Sequence, residues 1–193
     1  DRILYIWGHE GIGKRHLVSR LLAYWQPRPG AILRISCRDT VEPLVALGRI
    51  ADFWRDASPE GSREAARTLL DLRLDPYERA RTAMQQVADK RYVLVLDDID
   101  AWFDSRDGGS TGTIADVTVR NALLGLMSVT NQSIFLVTGS RPWTDLTTAN
   151  LANLGQIHVP LLPLEATIQL MHQWPELCSL PVDQREWVHW HLG

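Results

Sequence analysis

The sequence predicts an α/β fold in which a mostly parallel β-sheet is covered by helices on both faces. Short apolar runs rich in β-branched and aromatic residues, such as ILYIW (3–7) and YVLVLDD (92–98), alternate with stretches of helical periodicity. Strands that alternate with helices favour parallel pairing, and parallel sheets are normally buried on both faces. We therefore expect three layers, with the sheet between two layers of helices.

Five strands and five helices can be placed in order along the chain. The strands are expected at 3–7, 31–36, 92–98, 133–138 and 156–159. The helices are expected at 14–25, 42–55, from 76 onward, 116–128 and from 165 onward. The third helix has a typical start, because Asp75 precedes Pro76 and Glu78 follows at the capping-box position. A turn is predicted at 58–62, a polar glycine-rich loop at 104–113, and a further loop between the last two strands.

Composition describes an ordinary globular chain of 193 residues, with 45% hydrophobic and 22% charged residues. This balance excludes collagen-like and strongly disordered classes, and a net charge of -3 gives no indication of a nucleic-acid partner. Two cysteines are too few for a disulfide framework and favour a reducing compartment. No apolar run approaches the roughly 20 residues of a membrane span. We therefore expect a cytoplasmic protein without a membrane partner.

The first strand is followed by a glycine-rich loop, GHEGIGKRH, which we call the phosphate loop (residues 8–16). Gly8, Gly13 and Lys14 fit the pattern G-x-x-x-x-G-K between a strand and a helix. Glycines allow backbone amides to approach phosphate oxygens, the helix N-terminus adds unpaired donors, and lysine adds a point charge. The lysine is notable because only two of the 20 basic residues are lysines. The predicted phosphate contacts are Gly8, His9, Glu10, Gly11, Ile12, Gly13, Lys14, Arg15 and His16.

One position of the phosphate loop departs from the pattern. Arg15 stands where a Ser or Thr hydroxyl normally coordinates Mg²⁺, and a guanidinium has no lone pair for a cation. Arg15 could offset phosphate charge or point into solvent. The sequence therefore leaves metal binding by this loop in doubt.

Two further strand ends carry candidate catalytic groups. Asp97 and Asp98 follow a buried strand, where Asp97 is expected to hold Mg²⁺ and Asp98 to polarise an attacking water. A solvated loop face formed by Asp98 and its acidic neighbours is the alternative. Arg141 follows the next strand and is expected to sense the terminal phosphate, with a surface position before a proline turn as the alternative.

These motifs, GHEGIGKR, VLVLDDID and FLVTGSR, resemble those of the signal-transduction ATPases with numerous domains (the STAND class), which are AAA+-related P-loop NTPases that include NB-ARC and NACHT proteins. The resemblance implies a P-loop NTPase core at 1–163 and a helical segment at 164–193 that begins a lid domain continuing beyond this chain. It also implies ATP or ADP as ligand, with Mg²⁺ in doubt at Arg15.

The resemblance implies a molecular switch that exchanges ADP for ATP, oligomerises with ATP and controls a fused effector, with slow or absent hydrolysis. Sensor and effector domains would then lie outside this chain. Two alternatives remain open: a working AAA+-type ATPase, which would normally carry Glu rather than Asp98, and a degenerate P-loop scaffold, which Arg15 favours.

Overall fold

In the part of the chain that the structure describes, the sheet contains five strands whose carboxyl ends meet at one edge. The computed structural model describes residues 2–26, 31–40, 42–57, 61–105, 112–149, 151, 153–161, 163–171, 181 and 184. The strands are β1 (Ile3–Gly8), β2 (Ile32–Ser36), β3 (Val93–Asp97), β4 (Ile134–Gly139) and β5 (Leu154–Val159). Their order is β2-β3-β4-β1-β5, and the four pairings are parallel. Parallel α/β sheets place their ligands at this carboxyl edge.

Helices connect the strands and cover the sheet. Those in the described residues are α1 (Lys14–Trp25), α2 (Pro43–Ala57), α3 (Gly61–Leu70), α4 (Pro76–Gln86), α5 (Val117–Ser128), α6 (Thr144–Thr148) and α7 (Leu164–Met171). Aspartates cap α4 and α5: Asp75 accepts hydrogen bonds from two backbone N–H groups of α4, and Asp116 does the same at α5. These caps satisfy donors that a helix N-terminus leaves unpaired.

The two faces of the sheet are covered unequally. On one face, Tyr5, Leu94 and Phe135 belong to a large core that α2, α3, α4 and α5 complete. On the other face, Ile6 and neighbouring strand residues form a smaller core with α1. Alternate residues of each strand point to opposite faces, so the continuous apolar runs are buried on both sides. The predicted α/β fold with a parallel, helix-covered sheet is confirmed.

The structure corrects the sequence prediction in two places. The turn predicted at 58–62 is wrong for Gly61 and Ser62, which begin α3. Small buried residues, Ala65 and Ala66, face the core there, so the helical pattern is less apolar than the sequence rule requires. The loop predicted after β4 contains α6, which Asp145 ties to its surroundings. Residues 58–60, 106–111 and most of the predicted helical segment after Met171 lie outside the described residues.

Candidate functional site

The phosphate loop joins β1 to α1 in the conformation that its glycines predict. Gly8, Gly11 and Gly13 have φ of 155°, 82° and 92°, values that side chains disfavour. At Gly8 a Cβ atom would also collide with the carbonyl oxygen of Val159 on β5. Gly13 is the N-cap of α1 and has no side chain to occupy its first amides. The loop therefore leaves the N-terminus of α1 open to an anion.

Lys14 follows Gly13 as the first residue of α1, and only 7% of its surface is exposed. Its Nζ donates hydrogen bonds to the carbonyl oxygens of Gly8 and His9, both at 2.7 Å. An ammonium has three donors, so these two bonds hold the side chain over the loop and leave a donor for a ligand. Burial lowers the pKa of Lys14, while the carboxylates of Asp100, Asp98 and Glu10 act in the opposite direction. With one donor left unused, this ammonium at the N-terminus of α1 is placed to bind an anion.

The two acids at the end of β3 lie beside the loop, as the sequence predicts, but in different surroundings. Asp97 is 3% exposed and accepts a hydrogen bond from Arg34 Nε at 2.5 Å. Asp98 is half-buried in a left-handed backbone conformation, with φ of 57°. Its backbone N–H donates to Thr138 Oγ1 at 3.0 Å, and that hydroxyl donates to Asp97 Oδ1 at 3.4 Å. Thr138, at the end of β4, therefore orders both acids.

Arg15 points to Asp98 rather than into solvent. Its Nη2 lies 2.5 Å from Asp98 Oδ2, although about half of the arginine side chain is exposed. Arg38, which follows β2, bridges the same region: its Nη2 lies 2.5 Å from Glu10 Oε1 and its Nε lies 3.8 Å from Asp98 Oδ2. The carboxylate expected to polarise water is thus paired with a guanidinium from the phosphate loop.

Asp100 lies two residues beyond Asp98, and the sequence predicted no separate role for it. Its Oδ2 accepts a hydrogen bond from the Ser140 backbone N–H at 2.7 Å, which joins the end of β3 to the end of β4. Its Oδ1 is buried and accepts no hydrogen bond from any described residue. The signal in the sequence was present, because Asp100 continues the acidic run that begins at Asp97.

These groups surround an open cleft of about 320 Å³ at the carboxyl edge of the sheet. We call it the cleft; its lining residues are Glu10, Gly11, Gly13, Lys14, Arg15, His16, Arg38, Asp98, Asp100 and Ser140. Gly8 and His9 border it through the carbonyls that hold Lys14, and Ile12 is half-buried beside them. The predicted phosphate residues are therefore brought together with Asp98. Arg34 and Arg38 were missed, because their roles depend on β2 lying next to β3.

Arg141 lies outside the set that lines the cleft. Its guanidinium carbon is 5.3 Å from the centre of the Phe103 ring, a cation–π arrangement, and its carbonyl oxygen accepts a hydrogen bond from the Tyr5 hydroxyl. Its assignment as a phosphate sensor stays a prediction.

The cleft fits phosphate groups better than it fits a divalent cation. Backbone amides, the N-terminus of α1, Lys14 and Arg15 are suitable phosphate donors. In contrast, Asp97 and Asp98 are each held by a guanidinium, and position 15 offers no oxygen. In the described part of the chain, His, Cys, Asp and Glu form no group of three or more suited to a metal ion. The assignment of Asp97 to Mg²⁺ stays a prediction. The guanidinium partners of Asp97 and Asp98 do not favour it.

None of the helices in the described residues is long and apolar enough to cross a membrane.

Residues 1–137 match the family described as the AAA ATPase domain. Among curated proteins, none matches the sequence.

Solved structures that are similar to this chain include the following two. One is a signal transduction ATPase with numerous domains (STAND) and a tetratricopeptide repeat sensor from Pyrococcus horikoshii, with a TM-score of 0.52 and 16% identity over 95% of this chain and 24% of that chain. The other is the FIGL-1 AAA domain in complex with ADP, with a TM-score of 0.48 and 12% identity over 97% of this chain and 53% of that chain. The chain spans about a quarter of the length of the first and about half of the second.

The STAND likeness agrees in fold with the resemblance inferred from the motifs. The family match is more specific, since it includes both the phosphate loop and the acids that follow β3. This chain is a P-loop NTPase that belongs to the AAA ATPase domain family.

Proposed function

We propose that this chain is the ATP- and ADP-binding switch domain of a larger, cytoplasmic signalling protein. It controls a fused effector through nucleotide exchange and ATP-dependent oligomerisation, and it hydrolyses ATP slowly or not at all. The observation that carries the proposal is the buried Lys14, held over the phosphate loop by the carbonyls of Gly8 and His9. That arrangement presents an ammonium to an anion at the N-terminus of α1.

The contacts of Asp98 support slow hydrolysis. A carboxylate polarises water only when it can accept the proton of that water. Asp98 Oδ2 already accepts from Arg15 at 2.5 Å and lies 3.8 Å from Arg38 Nε, so guanidinium groups compete with water for this oxygen, and Arg38 stays beside it if Arg15 turns away. In this proposal Asp98 positions the attacking water and Arg141 senses the terminal phosphate.

The likeness to a STAND protein supports the wider architecture. The solved protein carries a tetratricopeptide repeat sensor, and this chain covers 24% of its length. By analogy, we infer that this nucleotide domain is one of several domains in a longer protein, with sensor and effector domains joined to it. In this proposal α7 (Leu164–Met171) begins the lid domain, and the core ends at residue 163.

Calorimetric titration of the 193-residue chain with ADP and ATP tests the nucleotide site. We expect binding of both, and loss of binding in Lys14→Ala. Lys90→Ala is a matched control, because Lys90 is the other lysine of the chain and pairs with Asp89 at 3.0 Å, away from the cleft residues. If neither ADP nor ATP binds, the chain is better described by the alternative of a degenerate P-loop scaffold. Equal affinity in wild type and Lys14→Ala would show that the nucleotide binds elsewhere.

A steady-state assay of phosphate release separates the switch from a working ATPase. The switch predicts turnover close to background in the wild type. Sustained turnover that Asp98→Ala abolishes would contradict slow hydrolysis and support the AAA+-type ATPase instead.

A further inference from the structure

Three arginines contact the acids around the cleft: Arg15, Arg34 and Arg38. Because these contacts already occupy the carboxylates, the cleft is poorly suited to a divalent cation. We propose that this chain binds the phosphates of its nucleotide without a divalent cation, and that Arg15 supplies the charge that the cation would otherwise supply. The inference rests on the proposed nucleotide binding and concerns how the same site neutralises its ligand.

Arg15 is placed to contact phosphate. It follows Lys14 in the first turn of α1 and lines the same cleft. Its partner Asp98 is 2.5 Å away, but 53% of the arginine side chain is exposed. An exposed ion pair contributes little to stability, so Arg15 can exchange Asp98 for a phosphate oxygen at small cost. A planar guanidinium forms paired hydrogen bonds to phosphate, which a Ser or Thr hydroxyl does not.

The acids at the carboxyl edge are already neutralised by protein groups. Asp97, at 3% exposure, is paired with Arg34 at 2.5 Å. In a site that uses a cation, an unpaired carboxylate here would help to hold the ion, and without the ion it would repel the phosphates. Arg34 removes that repulsion. Arg34 therefore neutralises Asp97, and Arg15 is left to neutralise the phosphates.

The charges that line the cleft also balance. Lys14, Arg15 and Arg38 face Glu10, Asp98 and Asp100. Arg38 bonds Glu10 at 2.5 Å and lies 3.8 Å from Asp98, so Asp98 keeps a cationic neighbour when Arg15 turns to a phosphate. A divalent cation entering the same space would have to displace guanidinium groups from their carboxylates. The arrangement therefore disfavours a divalent cation in the cleft.

Calorimetric titration with ADP, in buffer with Mg²⁺ and in buffer with EDTA, tests this inference. ADP is the suitable probe, because it chelates Mg²⁺ in solution less strongly than ATP does. The wild type is expected to bind ADP equally in both buffers. Arg15→Ser, which restores the hydroxyl of the usual pattern, is expected to bind about tenfold more weakly in EDTA, as for loss of one charge-assisted hydrogen bond, and to recover with Mg²⁺.

Two further variants make the result specific to Arg15. Arg20→Ser changes an exposed arginine on the same helix that lies outside the cleft lining, and it should behave as the wild type in both buffers. Arg15→Lys keeps the charge but not the paired geometry, so we expect weaker binding that remains independent of Mg²⁺.

The outcomes separate this inference from the proposed function. Binding by the wild type only with Mg²⁺ would overturn the inference and leave the nucleotide site standing. Binding in EDTA that Arg15→Ser leaves unchanged would overturn the role of Arg15. Failure to bind ADP in either buffer would overturn the nucleotide site itself, and the inference with it.

Discussion

Replacement of Thr138 by valine tests whether its hydroxyl orders the acids of the cleft. Thr138 is fully buried, and valine has nearly the same volume, so the change removes the hydroxyl and creates no cavity. The partly buried Asp98 backbone N–H then loses its acceptor at 3.0 Å, and leaving such a donor unpaired costs about 1–3 kcal/mol. The bond to Asp97 is long, at 3.4 Å, and Asp97 keeps Arg34, so its loss contributes little. We expect the free energy of unfolding to fall by about 1–3 kcal/mol.

Urea denaturation measures this loss, and hydrogen exchange of the Asp98 amide, followed by NMR, assigns it. Thr138→Ser is the control, because serine keeps the hydroxyl and loses one methyl group, at a cost of about 1 kcal/mol. Both variants are therefore less stable, but only the valine variant should exchange the Asp98 amide faster, by about tenfold or more. An unchanged urea midpoint and an equally protected Asp98 amide in Thr138→Val would refute the reasoning.

Further predictions concern helix packing, the anchoring of α6 and acid stability. Gly125→Ala should destabilise the fold by about 1–3 kcal/mol, because the new Cβ would collide with a carbonyl oxygen of α4. Gly48→Ala meets open space and should stabilise α2 by about 0.5–1 kcal/mol. The urea midpoints of the two variants should therefore shift in opposite directions, and a shift in the same direction would contradict this. Asp145→Ala leaves two buried N–H donors without their acceptor and should cost about 2–6 kcal/mol in thermal unfolding followed by circular dichroism; a melting temperature equal to that of the wild type would exclude this anchoring role. Arg73 lowers the pKa of Asp71 to about 2 from 3.8, so the stabilisation present above pH 3.8 should disappear as the pH falls towards 2; acid titration of Arg73→Ala should lack this component, and an unchanged titration would rule it out.

The conformation of the phosphate loop followed most directly from the sequence. The spacing of Gly8, Gly13 and Lys14 places the strand end and the helix start, and the structure begins α1 at Lys14 as expected. Such local signals need no knowledge of the sheet order, because the glycines and the lysine act within one turn of chain. The approach of Asp98 to the loop also followed from the sequence, since parallel strands end at the same edge.

The partners of the acids could not be predicted in the same way. Arg34 reaches Asp97 because β2 pairs with β3, and Ser36 lies opposite Asp97 in that register. Neither composition nor periodicity encodes which strands are neighbours, so an arginine inside an apolar strand carried no assignment. The position of Arg141 over Phe103 likewise depends on two segments that meet only in the folded sheet.

The position of β1 has a consequence for the order in which the site can form during synthesis. β1 lies between β4 and β5, and Gly8 is opposite Val159, so the first of the described strands pairs with the last two of them. Contacts this distant in sequence give a high contact order and close late in folding. A nascent chain on the ribosome carries the whole phosphate loop long before it has the strands that support it. The growing polypeptide should therefore be unable to hold nucleotide until β5 has emerged, which couples ligand capture to completion of the sheet.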